Sequence, residues 1–160
     1  MTFSTVDQET FRRACSKFAT GITIATVLAP DKSPHGLTVN AFTSVSLAPP
    51  LVLICLDYRV TVLDSFRSAK YYGINILSED QRDLSARFAQ KGRDRFEGIA
   101  WSSGSTGVPL LEGILAGFEC RLVQVVEAGD HAILIGEVSE AHFREGRPLL
   151  YFNREYQRLA

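Results

Sequence analysis

The chain has 160 residues, 46% of them hydrophobic and 22% charged, with 17 Lys+Arg against 18 Asp+Glu. That length predicts a single domain spanning residues 1–160, and the balance excludes both a disordered segment and a globally basic nucleic-acid binder. No apolar run reaches the length of a membrane helix, and residues 1–8 lack the cationic and apolar regions of a secretion leader, so a cytoplasmic protein is expected.

The first predicted element is a helix. Asp7 is its N-cap, Phe11, Cys15 and Phe18 form one apolar stripe, and Gly21 ends it. Residues 22–28 are rich in β-branched side chains and read as a strand, followed by a Pro30-Asp31-Lys32-Ser33 turn. From His35 to Leu47 the chain stays β-like, and after Pro49-Pro50 the run from Leu51 to Leu56 reads as a buried strand. Thr61 opens a short helix carrying Val62, Leu63, Phe66 and Ala69, and residues 71–77 return to strand. Ser78 and Gln81 have the spacing of a capping box ahead of a helix with Leu84 and Phe88 on one face. Residues 92–113 are the least regular, and the Ser102-Ser103-Gly104-Ser105-Thr106-Gly107 run reads as a mobile loop. Alternation then marks a strand from Ala116, a turn at Glu127-Ala128-Gly129-Asp130, and a return strand from His131 to Phe143. A further strand follows the Glu145-Gly146-Arg147-Pro148 turn.

Six or seven strands with two or three inserted helices do not alternate regularly enough for a Rossmann sheet. A mainly β fold, an antiparallel barrel with helical insertions, accounts better for the pattern, because closure removes exposed edges.

The three cysteines, Cys15, Cys55 and Cys120, form no Cys-x-x-Cys pair and read as reduced thiols, with Cys15 and Cys120 as core residues. His35, His131 and His142 have no metal-ligand spacing, and no phosphate loop, dinucleotide fingerprint or nucleophile elbow occurs. An enzyme with this sequence would rely on a cofactor for its chemistry. The most unusual stretch places Thr38, Asn40, Ser44 and Ser46 at period two, either as a solvated sheet face or as a polar groove that donates to a ligand.

Five ordered segments carry a resemblance. They are Phe18-Ala19-Thr20-Gly21-Ile22-Thr23-Ile24, Thr38-Val39-Asn40-Ala41-Phe42-Thr43-Ser44-Val45-Ser46-Leu47, Pro50-Leu51-Val52-Leu53-Ile54-Cys55, Tyr72-Gly73-Ile74-Asn75-Ile76-Leu77 and Gly129-Asp130-His131-Ala132-Ile133-Leu134-Ile135-Gly136-Glu137-Val138. Together they resemble the flavin reductase-like family, the short NAD(P)H-using reductase components of two-component flavin-dependent monooxygenases. The resemblance implies an FMN-binding split β-barrel of antiparallel Greek-key type, a homodimer, and reduction of FMN or FAD by NADH or NADPH with delivery to a separate monooxygenase. It also implies that Thr38, Val39, Asn40 and Ala41 line the flavin ring, that Ser44 reaches its phosphate, and that Cys55 and Leu56 face it from the next strand. Thr61 would stand at a helix start facing phosphate, or serve only as a cap. Phe88 would flank the flavin, or be core. His131, Tyr151 and Arg154 would hold the nicotinamide nucleotide, with His131 the catalytic candidate against a surface histidine at a hairpin end. A same-fold reductase of a corrinoid or ferric complex, and a non-catalytic ligand-binding module, are the alternatives.

Overall fold

The computed structural model describes residues 5–92 and 94–160, so residues 1–4 and Arg93 of the irregular region lie outside the described residues. Three helices are described: α1 (Gln8–Cys15), α2 (Leu63–Ser68) and α3 (Arg82–Ala89). Seven strands form one antiparallel sheet: β2 (Thr23–Leu28), β3 (Pro34–Val39), β4 (Phe42–Leu47), β5 (Pro50–Asp57), β6 (Tyr71–Ile76), β9 (Ala116–Ala128) and β10 (His131–Phe143). Their spatial order is β3-β2-β6-β9-β10-β5-β4. Smaller sheets join β1 (Thr20–Gly21) to β11 (Leu150–Phe152) and β12 (Glu155–Gln157), and β7 (Trp101–Ser103) to β8 (Pro109–Leu111). The architecture is mainly β, as the sequence predicts. No described helix is long and apolar enough to cross a membrane.

The longest pairing is the β9–β10 hairpin, turned at Gly129 and Asp130 with Gly129 at φ 60°, a conformation glycine adopts without steric cost. Bulges at Ile135/Gly136 and Val138/Glu140 bend it. Strand β5 alternates cleanly: Val52, Ile54 and Leu56 are buried, while Leu51, Leu53, Cys55 and Asp57 are half-buried on the other face. The buried set meets Ala25, Leu37, Phe66, Tyr72, Ile74 and Leu134 in the main core. A second cluster, including Ile24, Leu77, Phe88, Phe96 and Leu149, holds α3 against β2.

Buried polar groups in the interior are paired. Asn75 donates to the Ile24 carbonyl (3.0 Å) and to Thr26 Oγ1 (3.2 Å), and accepts from the Leu111 amide (2.8 Å). Thr26 in turn donates to the Pro109 carbonyl at 2.6 Å, tying β8 to β2. Glu119, buried on β9, receives the Ser105 amide at 3.0 Å, the Thr106 amide at 2.7 Å and the Thr106 hydroxyl at 2.5 Å. Burial pushes its pKa up, but the Thr106 and Ser105 hydrogen bonds outweigh burial and hold the carboxyl below its usual range. Residues 102–107, expected to be a mobile loop, are therefore a hairpin tip pinned to a buried carboxylate.

Four local expectations are corrected. Helix α1 stops at Cys15 rather than near Gly21, because Ser16 bonds back to Arg12 and Arg13 and Thr20 is already paired with Tyr151 in a strand. Cys15 is exposed, on a helix that buries none of its residues; Cys120 is core as expected. Thr61 precedes the helix it was expected to open, since α2 begins at Leu63 with Val62 as its cap. Ser78 gives only half of a capping box: its amide donates to Gln81 Oε1 at 3.1 Å, while its hydroxyl turns to the Asp80 carboxylate and Gln81 caps α3.

The polar stretch from Thr38 to Ser46 does not share one face. Asn40 and Ala41 break it into β3 and β4, which lie at opposite edges of the seven-stranded order, and a bulge separates Ser44 from Ser46. Strand period therefore does not carry across the corner.

Candidate functional site

A cleft of about 530 Å³ opens between the end of α1, the β3–β4 corner, β5 and the β11–β12 hairpin. It falls within the range of small-molecule sites. Five of the predicted residues line it: Asn40, Ala41, Cys55, Tyr151 and Arg154. They come from three separate segments of the sequence, at residues 40–41, 55 and 151–154, brought together by strand pairing. Thr20↔Tyr151 docks β11 on β1, and Phe42↔Ile54 docks β4 on β5.

The cleft has an apolar wall and cationic edges. Phe11, Phe18, Phe42 and Leu53 supply the apolar surface, and Arg12 and Arg154 the charge. Asn153 and Arg154 form the β11–β12 turn, both at positive φ. Lys17 donates to Asn153 Oδ1 at 2.7 Å, the Asn153 amide donates to the Ser16 carbonyl at 2.8 Å, and Arg154 pairs with Glu9 at 3.1 Å. These contacts fix the hairpin turn against α1 and keep the Glu9 carboxyl below its usual pKa through the Arg154 hydrogen bond. Partial burial pushes the Cys55 thiol up, so Cys55 stays protonated and is not a ready nucleophile.

The outer face of β5 continues from the cleft towards His131. Cys55 lies opposite Ile133, and Asp57 opposite His131, across the β5–β10 ladder. His131 Nδ1 donates to Asp130 Oδ1 at 2.6 Å, which leaves Nε2 as the free ring nitrogen. That hydrogen bond lowers the Asp130 pKa, and the Asp57 carboxyl is held low first by its hydrogen bond to Arg59.

The remaining predicted residues lie elsewhere. Thr38 donates its hydroxyl to the Ser85 carbonyl at 2.6 Å, so it anchors α3 to β3. Val39 and Leu56 have side chains in the main core, and Phe88 is fully buried in the second cluster against Phe96. Ser44 is exposed on edge strand β4. Thr61 lines a separate cleft of about 680 Å³ with His35, Asp94, Arg95 and Trp101, and is the one predicted residue there. The larger cleft is thus not where the predicted residues converge.

One residue of the first cleft carries a signal that sequence reasoning missed. Thr20 Oγ1 is, among the described residues, the buried side-chain polar atom left without a hydrogen-bond partner. Such an atom is an exception to the pairing of buried polar groups. The apolar wall, the exposed Asn40 amide and the two arginines fit an aromatic, polar-edged, anionic ligand, which is the chemistry of a flavin or nicotinamide nucleotide.

Comparison with known proteins agrees. The family model described as "Flavin reductase like domain" matches residues 15–160. The chain is 42% identical over 154 residues to the FMN reductase (NADH) SmoA of Agrobacterium fabrum, covering 96% of this chain and 87% of that protein. It is 40% identical over 133 residues to the stachydrine N-demethylase reductase subunit Stc3 of Rhizobium meliloti, covering 83% of this chain and 58% of that one. Among several curated relatives the chain spans only 41% to 58% of their length. The solved NADH:FAD oxidoreductase SgcE6 of Streptomyces globisporus, in complex with NAD and FAD fragments, superposes with a TM-score of 0.91 at 33% identity, covering 98% of this chain and 97% of that one. The chain belongs to the flavin reductase-like family.

Proposed function

We propose that this protein is an NADH-dependent flavin reductase, an oxidoreductase that reduces FMN or FAD and supplies reduced flavin to a separate monooxygenase component. The observation that carries this reading is the convergence of Asn40, Ala41, Cys55, Tyr151 and Arg154 on one cleft of a chain that matches the family from residue 15 to 160. The chemistry supplied by the two bound molecules is hydride transfer from nicotinamide to flavin.

What the chain contributes is position and charge. Asn40 and Ala41, at the β3–β4 corner, and Cys55 border the flavin ring; the apolar wall excludes water from it. Asn40 would donate to the oxygen-rich edge where negative charge develops on reduction. Val39 and Leu56 act from behind by fixing the strands that carry their neighbours, and Thr38 and Phe88 by fixing α3. Tyr151 and Arg154 hold the dinucleotide, with Arg154 suited to its phosphates. His131, held by Asp130, orients the nicotinamide through its free Nε2. Ser44, exposed on β4, and Thr61, in the separate larger cleft, are read as phosphate contacts.

Phe18, Leu47 and Phe143 are 78%, 94% and 84% exposed. Large apolar side chains left so open in one chain support a homodimer, whose second copy covers them and completes the site. Strands β3 and β4, at opposite ends of the hydrogen-bonded order, are joined by two residues, which supports a sheet curled into a split Greek-key barrel. Residues 1–160 are read as one such domain, acting in the cytoplasm. The experiment is direct: purified protein is mixed with NADH and FMN, FAD or riboflavin, and loss of NADH absorbance is followed. Turnover supports the assignment; no turnover with any of the three sinks it.

A further inference from the structure

Arg154 lines the cleft, and in the free chain it is already engaged. Glu9 of α1 accepts from one of its guanidinium nitrogens, Nη2, at 3.1 Å to Oε1 and 3.2 Å to Oε2. Both partners are held where they meet. Asn153 and Arg154 stand at φ 52° and 67°, a left-handed turn that side chains adopt at a cost, and Lys17 and the Ser16 carbonyl tie that turn to the end of α1. Glu9 lies in the first turn of the same helix, where the helix dipole favours an acid, just after the Asp7 cap. Among the described residues no Asp or Glu lines the cleft, whose charged side chains are Arg12 and Arg154, so Glu9 meets the cleft through Arg154.

A guanidinium pairs with carboxylate and with phosphate through the same planar fork of donors. The two anions also repel each other, so a phosphate that approaches Arg154 must displace Glu9 or share the arginine against its charge. We infer that Glu9 is a specificity residue, an internal competitor whose carboxylate occupies Arg154 in the free chain and so weakens binding of phosphate-bearing ligands but not of neutral ones. The identity of those ligands rests on the reductase reading above; the competition rests on the Glu9–Arg154 contact. The Arg154 and Glu9 side chains are 47% and 60% exposed, and an ion pair so open to water is weak and screened by salt. An incoming phosphate can therefore displace it. Glu9 tunes affinity without closing the cleft, which suits molecules that enter and leave at every turnover.

The test compares wild type, Glu9→Gln, Arg154→Gln and the double variant in the full chain. FMN and riboflavin, which differ by the phosphate, are titrated by fluorescence quenching, and NAD⁺, a non-reacting probe, by calorimetry. Expected for Glu9→Gln is a gain of about threefold in affinity for NAD⁺, for FMN or for both, the size of one exposed ion pair. The gain shrinks as salt is raised, and riboflavin binding is unchanged. A gain for NAD⁺ puts the dinucleotide phosphates at Arg154; a gain for FMN puts the flavin phosphate there. In the Arg154→Gln background the same substitution has no effect, because the competition runs through the arginine. A gain shared equally by riboflavin overturns the inference, as does a gain that persists without Arg154, or no change for either phosphate-bearing ligand. Weaker binding in Glu9→Gln also overturns it, since Glu9 would then be a support that holds Arg154 in place. Wild type that binds none of the three ligands and oxidises no NADH defeats the reductase reading and this inference with it, whereas active wild type with an indifferent Glu9→Gln defeats this inference alone.

Discussion

The interior of the sheet and the cleft beside it handle polar groups in opposite ways. Inside, Asn75 uses both ends of its amide, Thr26 passes its hydrogen to Pro109, and Glu119 collects donors from Ser105 and Thr106. In the cleft, Thr20 has no partner, Asn40 is exposed, and Arg154 reaches only as far as a surface carboxylate on Glu9. A group satisfied within the fold contributes to stability and is not available to a ligand. A group left open contributes little to stability and is free to recognise one. Substitutions in the two regions should therefore separate into stability effects and binding effects.

The largest effect belongs to the interior. Phe66 is fully buried on α2 and meets Tyr72 edge-on at 6.2 Å between ring centroids. Phe66→Ala should cost about 4 kcal/mol in urea or guanidinium unfolding, the transfer and cavity terms together. A cost below about 1 kcal/mol would mean that α2 is not part of the cooperative core.

Glu119 breaks the comparison from its polar side. Glu119→Ala leaves the Ser105 and Thr106 amides without their acceptor and should cost about 3 kcal/mol, because charged hydrogen bonds are the strong ones. The sign with pH follows from its lowered pKa. A carboxyl whose pKa falls on folding stabilises fully above its unfolded value, and that stabilisation is lost as pH drops through the folded one. Wild type should therefore lose stability relative to Glu119→Gln on acidification. Parallel acid unfolding of the two proteins would show that Glu119 is not the sensor.

His131 sharpens the functional side. It starts β10 with its Nδ1 occupied by Asp130, and most of its contribution should be to hydride transfer rather than to flavin binding. His131→Ala is expected to lower kcat about tenfold, or roughly 1.4 kcal/mol of barrier, with the flavin Kd nearly unchanged. If flavin affinity collapses and the rate of bound flavin does not, His131 belongs to the flavin side instead.

How much of this could be read from the chain depends on the kind of signal. The β9–β10 hairpin is legible because period-two alternation from Ala116 to Val123 leads into a Gly-Asp turn and a return strand. The β3–β4 corner was not, because polar residues continue at period two straight through Asn40 and Ala41 while the backbone turns to the far edge. Amphipathicity located α1 but could not say what its apolar side meets; it borders a cleft rather than a core, so Cys15 was misread. Asn40, Ala41, Cys55, Tyr151 and Arg154 were reached through family resemblance, since periodicity cannot converge segments so far apart. Thr20 gave no sequence signal beyond its place in the Phe18–Ile24 run. Its missing partner is visible only once the fold shields it.

The smallest expected effect is the most discriminating. Asn40 is exposed at the corner, and no core side chain rests on its carboxamide, so Asn40→Ala should change unfolding free energy by less than about 0.5 kcal/mol. If Asn40 donates to the flavin as proposed, its loss should weaken flavin binding by about threefold, one partly solvated hydrogen bond. Fluorescence quenching titrations measure the second quantity and denaturant titrations the first. A stability loss of more than about 1 kcal/mol with flavin affinity intact would place Asn40 with the structural polar groups, and the division between satisfied interior and open cleft would then fail at the residue where the strand order turns.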